Sequence, residues 1–220
     1  RWVDFENDYK TMDIDFMESV WWVFKELWEK DLIYQDYKVL PYSWAASTPL
    51  SNFEANMDYR DVEDPSIYFT LNAREDFNSV KKGDKFLVWT TTPWCIPGNL
   101  AIAIGKDIDY SRVSMNDDFY WIATQRLQEL DEFEVEIISS CNGSELIGSS
   151  YIPAYNEYEN LYSDGAFRLI HSDDTNTDSG SGLVSQAPAY GESDFYALKN
   201  SGIDVIADPV TLSGKFDDTF

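Results

Sequence analysis

Apolar side chains recur three or four positions apart between Met17 and Trp28, at Met17, Val20, Trp21, Phe24, Leu27 and Trp28. This spacing lines one face of a helix running to about Asp31, with Asp13 or Asp15 placed to cap its start. The period then changes. From Tyr34 onward, short apolar runs alternate with turn signals, which predicts strands at 34–40, 66–72, 85–91, 101–104, 110–113, 119–123, 133–138, 166–171, 182–186 and 204–207. Helical patterns sit among them at 124–130 and 192–200. The polar stretch from His171 to Gly180 reads as a loop, because an apolar strand lies on each side. Strands of this length, mixed with two or three helices, predict an α+β chain that is mainly β. The expected architecture is a closed or nearly closed β-barrel with peripheral helices. The change of period separates a helical entry segment, residues 1–35, from the barrel, residues 36–220.

Composition agrees with a folded chain. Of 220 residues, 44% are hydrophobic and 16% aromatic, enough for one substantial core. No apolar run approaches a membrane span, and the N-terminal segment lacks the layout of a signal peptide, so no membrane partner is expected. Cys95 and Cys141 are the only cysteines, and His171 is the only histidine. Without a Cys-x-x-Cys pair no metal site is expected, and both thiols read as buried and reduced. Histidine-based catalysis has a single candidate, His171. The balance of 40 acidic against 16 basic residues, a net charge of −24, sets the surface against nucleic acid over most of its area.

The densest candidate chemistry is the run Val88-Trp89-Thr90-Thr91-Thr92-Pro93-Trp94-Cys95-Ile96-Pro97-Gly98-Asn99. Three consecutive hydroxyls break the alternation of a half-buried strand, and Pro93 stops the strand by removing a backbone donor. The hydroxyls and freed backbone groups then form an uncharged polar wall, suited to a ligand bearing hydroxyls or an ester. A second segment runs Gly180-Ser181-Gly182-Leu183-Val184-Ser185-Gln186-Ala187-Pro188-Ala189-Tyr190-Gly191-Glu192-Ser193-Asp194. It reads as a glycine turn, a short strand, a Pro/Gly loop and a helix start. Asp194 falls in the first turn of that helix, where backbone amides and the macrodipole favour an ionised carboxylate.

Together the two segments resemble the editing domain (the connective-peptide insertion) of isoleucyl-tRNA synthetases, with a Trp-Thr-Thr-Thr-Pro-Trp strand and a Gly-Thr-Gly-x-Val-His-x-Ala-Pro-x-x-Gly-x-x-Asp segment. Phe16 to Lys30 and Thr48 to Asp64 extend the resemblance over nearly the whole chain, closest to the eukaryotic and archaeal branch. Valyl and leucyl enzymes typically carry Thr-Thr-Arg-Pro where this chain has Thr-Thr-Pro-Trp. The resemblance implies a cytoplasmic protein-synthesis enzyme module that hydrolyses valine mischarged onto the isoleucine acceptor tRNA. The implied alternative is a degenerate, non-hydrolytic domain kept as a structural or tRNA-positioning insert. Editing is needed because one methylene separates isoleucine from valine by only about 1–3 kcal/mol, a value long associated with this enzyme class.

By the same resemblance, Thr90, Thr91 and Thr92 contact the terminal ribose and ester and orient a water. Asp194 anchors the α-ammonium, and Trp94, Ser185, Gln186, Ala187 and Tyr190 line the substrate. No cofactor is expected in this chain. The ATP and magnesium of amino-acid activation belong to the parent ligase, whose His-Ile-Gly-His and Lys-Met-Ser-Lys-Ser type motifs are missing here. The chain begins inside a family pattern, Arg1 to Phe5, so a piece of a larger protein is expected. The expected partners are the 3′ end of isoleucine tRNA and the rest of the synthetase, with no DNA. Two accounts of the acidic surface remain open: other parts of the parent hold the tRNA, or the host keeps a high internal salt concentration. One departure matters most. Ser185 stands where the family has a histidine implicated in excluding isoleucine. Either bulk such as Tyr190 or Phe195 refills the space, or editing is weak or lost. Cys95 for threonine, Ser181 for threonine and Ser193 for an acidic residue are smaller departures.

Overall fold

The computed structural model describes residues 4–218 and residue 220. The chain divides into two units, Arg1–Lys38 and Val39–Phe220. In the first, the expected helix forms as α1, Ile14–Glu29. Asp13 is its N-cap, but the side chain makes no capping bond; instead its carbonyl accepts the Met17 amide at 3.0 Å. At the other end Asp31 turns left-handed, φ 53°. The amides of Asp31 and Leu32 then return to the carbonyls of Trp28 and Leu27 at 3.0 and 3.1 Å, closing a Schellman motif with aspartate in the usual glycine position. No residue of α1 is buried. Residues 34–40, expected as a strand, join no ladder. Their β propensity is a preference for a pleated surface and has no effect without a neighbouring strand.

The second unit opens with a two-strand ribbon, β1 (Tyr42–Ser43) and β2 (Thr48–Pro49), and a one-turn helix α2, Asn52–Ala55. Ser51 and Glu54 cap α2 reciprocally, side chain to backbone in both directions. The main sheet follows: β3 (Ile67–Asn72), β4 (Lys85–Thr90), β5 (Ala101–Ile104), β6 (Asp109–Met115), β7 (Asp118–Ala123), β8 (Glu136–Asn142), β9 (Arg168–His171) and β10 (Val184–Gln186), with helix α3 at Glu192–Asn200. Its order is β8-β6-β7-β4-β10-β5-β9, with β3 added on β4.

Strand β4 organises this sheet. Along one edge it pairs all six residues antiparallel with β3. Its other edge is shared: Lys85 and Phe86 pair with β7, and Trp89 pairs with Val184 of β10. Its alternating faces serve two cores. Phe86 and Val88 enter the large core with Leu100, Ile102, Tyr110 and Leu183, whereas Leu87 joins Val113, Ile122 and Leu130 in a smaller one. A strand buried on both faces reads as a continuous apolar run, as 86–89 does. The glycines before β10 let it approach. Gly180 and Gly182 have φ of 68° and 77°, and a Cβ on either would lie 2.6 Å from the Trp89 ring or 2.4 Å from the Ala123 Cβ.

The sheet, expected as a closed or nearly closed barrel, curls into an open half-barrel and does not close. Its path ends at β8 and β9. Residues 149–152 reach both β3 and β9, with single bridges Ala73–Tyr151 and Ser150–Arg168 in place of a ladder. The segment is too short and irregular to form a strand. Three other expectations shift. The strand placed at 133–138 forms at Glu136–Asn142, because the Phe133 amide closes a turn on the Leu130 carbonyl (2.9 Å) and β6 then sets the register. Residues 204–207 form no strand, and 124–130 is a 3-10 helix. Among the described residues no helix is long and apolar enough to cross a membrane.

Candidate active site

The three threonines at the end of β4 are not equivalent. Thr90 is buried, and its Oγ1 accepts the Thr92 amide at 3.1 Å. Thr91 and Thr92 are exposed. Pro93 ends the ladder and starts a 3-10 turn, Pro93–Gly98, with Thr92 as its N-cap. That turn folds Cys95 back under the threonines. Thr92 Oγ1 lies 3.3 Å from Thr90 Oγ1 and 3.1 Å from Cys95 Sγ. Burial pushes the Cys95 thiol up and the Asp194 charge adds to the rise, while hydrogen bonds from Thr92 and Thr90 oppose it. Cys95 therefore stays a thiol at neutral pH.

Asp194 comes to this turn from α3. Gly191 is the N-cap, so Asp194 is the third residue of the helix. Its Oδ2 accepts the Ala187 amide at 2.8 Å and its Oδ1 accepts the Ser193 hydroxyl at 3.3 Å. Burial raises its pKa above the ordinary aspartate value, against the lowering effect of those bonds. No cationic side chain among the described residues pairs with it. A half-buried carboxylate that pairs with no cation among the described residues is equipped to receive an ammonium group.

The expected lining residues divide. Trp94 is exposed at the surface of the turn, edge-on to Tyr190 with ring centroids 5.0 Å apart. The Tyr190 hydroxyl donates to Asp208 at 3.0 Å and accepts the Val210 amide at 3.2 Å. Burial and the Asp208 charge hold that phenol protonated. Phe195 is buried in α3 against Tyr196. Ser185 and Gln186 are buried on β10, paired with Ile102 and Ala101. Ala187 contributes its backbone amide to Asp194.

The group beside Ser185 is one that local pattern did not single out. Asn99 Nδ2 donates to Ser185 Oγ at 2.9 Å and to the Ala101 carbonyl at 2.8 Å, and Asn99 Oδ1 accepts the Tyr151 hydroxyl at 2.5 Å. Tyr151 is fully buried. Asn99 lies at the end of the quoted proline motif, but Tyr151 is 52 positions away and carries no local signature. Tyr151→Phe is expected to leave Asn99 Oδ1 without its donor and to destabilise the protein by about 1–3 kcal/mol, read as a lower urea midpoint. An unchanged midpoint would show that the network does not hold this region together. His171, the only histidine, has other partners: Nδ1 accepts the Lys106 amide at 3.3 Å, and Nε2 lies 3.0 Å from Asp173. Both cysteines are free.

A family model described as tRNA synthetases class I (I, L, M and V) matches residues 1–172. The isoleucine–tRNA ligase of Protochlamydia amoebophila is 44% identical over 222 residues, covering 99% of this chain and 21% of that protein. That of Bdellovibrio bacteriovorus is 46% identical over 223 residues, covering 98% and 20%. That of Tetrahymena thermophila is 44% identical over 200 residues, covering 89% and 18%. The chain thus spans about a fifth of the length of these relatives. Among solved structures, the P. knowlesi cytosolic leucyl-tRNA synthetase editing domain aligns with a TM-score of 0.47 at 11% identity, over 66% of each chain. The match over residues 1–172 decides the family: the chain belongs to the class I tRNA synthetases of the isoleucine, leucine, methionine and valine group.

Proposed function

We propose that this chain is the editing module of an isoleucine–tRNA ligase and hydrolyses the ester between valine and the isoleucine acceptor tRNA. The observation that carries the reading is the Asp194 carboxylate, half-buried and paired with no cation among the described residues, its charge felt by Cys95 of the Thr90–Thr92–Cys95 hydroxyl and thiol chain. An α-ammonium on Asp194 sets the aminoacyl carbonyl near Thr91 and Thr92, whose exposed hydroxyls bond the ribose and hold a water. The water oxygen bonds to the ester carbonyl carbon, the bond from that carbon to the ribose oxygen breaks, and the proton lost by the water passes to the released ribose oxygen, which leaves as a hydroxyl. Valine and uncharged tRNA leave. Holding the water and the already activated ester together accounts for a large share of such a reaction.

The rest of the parent synthetase holds the tRNA and presents its 3′ end, because this chain's cations are largely committed. Arg74, Lys85, Arg112 and Arg126 are paired with Glu159, Asp118, Asp84 and Glu129. ATP and magnesium act at the ligation site of the parent, in the cytoplasm. One observation favours the second reading, a non-hydrolytic structural insert: the Ser185 hydroxyl is bound by Asn99 and no histidine stands at that wall.

Deacylation separates the two. The protein carrying this chain, given valyl- and isoleucyl-tRNA on the isoleucine acceptor, is expected to release valine faster by about 10- to 200-fold, the range one methylene supports. Release of neither would leave the structural insert. Equal release of both would show that the excluding wall is gone.

A further inference from the structure

Gly191 begins α3 at a place where backbone conformation does not require glycine. It is the N-cap of α3 with φ −128° and ψ 128°, extended backbone that any residue adopts. Side chains that cap, such as serine, threonine, aspartate and asparagine, are favoured there. Glycine caps about as well as threonine, yet neither the backbone nor the cap requires it. Space does. A Cβ at Gly191 would lie 2.9 Å from Asp194 Cγ, 3.0 Å from Oδ1 and 3.1 Å from Oδ2. The whole carboxylate rests against the bare Cα.

The direction of that carboxylate is also unusual. From the third position of a helix an acidic side chain ordinarily reaches back to the N-cap amide. Asp194 reaches past it, to the Ala187 amide at 2.8 Å. We propose that Gly191 is the positioning residue of this site: its missing side chain lets the Asp194 carboxylate fold over the helix start onto the Ala187 amide, where the substrate ammonium is received. The assignment rests on the reading of Asp194 as the ammonium anchor. The atoms a Cβ would meet belong to a side chain that can rotate, not to backbone. An alanine at 191 therefore keeps the fold and turns the carboxylate away.

The test uses Gly191→Ala, Asp194→Ala and the double variant in the protein that carries this chain. Gly191→Ala is expected to lower kcat/KM for valyl-tRNA deacylation about 10- to 100-fold, and to add nothing in the Asp194→Ala background. By NMR, the Asp194 carboxyl in Gly191→Ala should titrate lower than in the wild type, as it leaves its buried seat. The Ala187 amide should also exchange faster, having lost its acceptor. An Asp194 titration and Ala187 exchange that both match the wild type would overturn the proposal. So would a loss of folding stability from Gly191→Ala that is equally large with and without the carboxylate at 194. If Asp194→Ala leaves deacylation intact, the hydrolase reading fails, whereas the NMR arm still decides what positions the carboxylate.

Discussion

Asp194→Asn is expected to cut valyl-tRNA hydrolysis by roughly 10²-fold or more while making the fold more stable at neutral pH. The loss follows from removing one partner of a desolvated charge pair, which costs about 2–5 kcal/mol where the other charge remains. The gain in stability follows from linkage. Burial raises the carboxyl pKa above its ordinary value, so the folded state holds that proton more tightly than the unfolded chain does. The stabilisation belonging to the protonated form is present below the unfolded pKa and lost as pH rises through the folded one. At neutral pH the ionised group therefore works against folding. Asparagine removes the charge and keeps an oxygen for the Ala187 amide, so the melting temperature at pH 7 should rise. In the wild type, hydrolysis should fall as pH drops through the raised pKa, because the anchor loses its charge. Activity and melting temperature that both fall together would mean that Asp194 is a structural residue only.

Asp84→Ala is expected to destabilise the protein by about 3–5 kcal/mol, the cost of breaking a buried ion pair from one side. Asp84 is 3% exposed at the start of β4. Its two oxygens accept Arg112 Nη2 at 2.7 Å and Nε at 2.8 Å, a bidentate pair. Oδ2 also accepts Trp121 Nε1 and the Lys81 amide, each at 3.0 Å. One carboxylate thus ties the turn before β4 to β6 and β7. Alanine would leave a guanidinium and an indole N–H without their acceptor, and the urea midpoint should drop. Asp84→Asn should cost less, since its amide oxygen still accepts one of these donors. A midpoint within experimental error for the alanine variant would show that water replaces all four bonds. Valine specificity is not expected to change, because none of these groups belongs to the candidate site.

What was legible in the sequence was local. Helix α1 follows from a 3.6-residue apolar period, and α3 begins and ends where its pattern placed it, Glu192–Asn200. Strands β5 and β7 came within a residue of their apolar runs. The strands that failed, 34–40 and 204–207, have suitable residues but no neighbour, and pairing is a property of two segments. The site shows the same division. Thr90–Thr92 and Asp194 stood out because a proline stop and a helix start are chemical events in consecutive residues. Other features required the chain to meet itself. Thr90 spends its hydroxyl on the Thr92 amide, Trp94 packs edge-on against Tyr190, and Asn99 binds Ser185 across 86 positions. By itself the sequence determined most of the elements of the main sheet, the family and the residue types at the site. Only the tertiary structure decided which hydroxyl is free, what stands beside Ser185 and where the carboxylate points, because burial and hydrogen-bond partners are set by residues far apart in the chain.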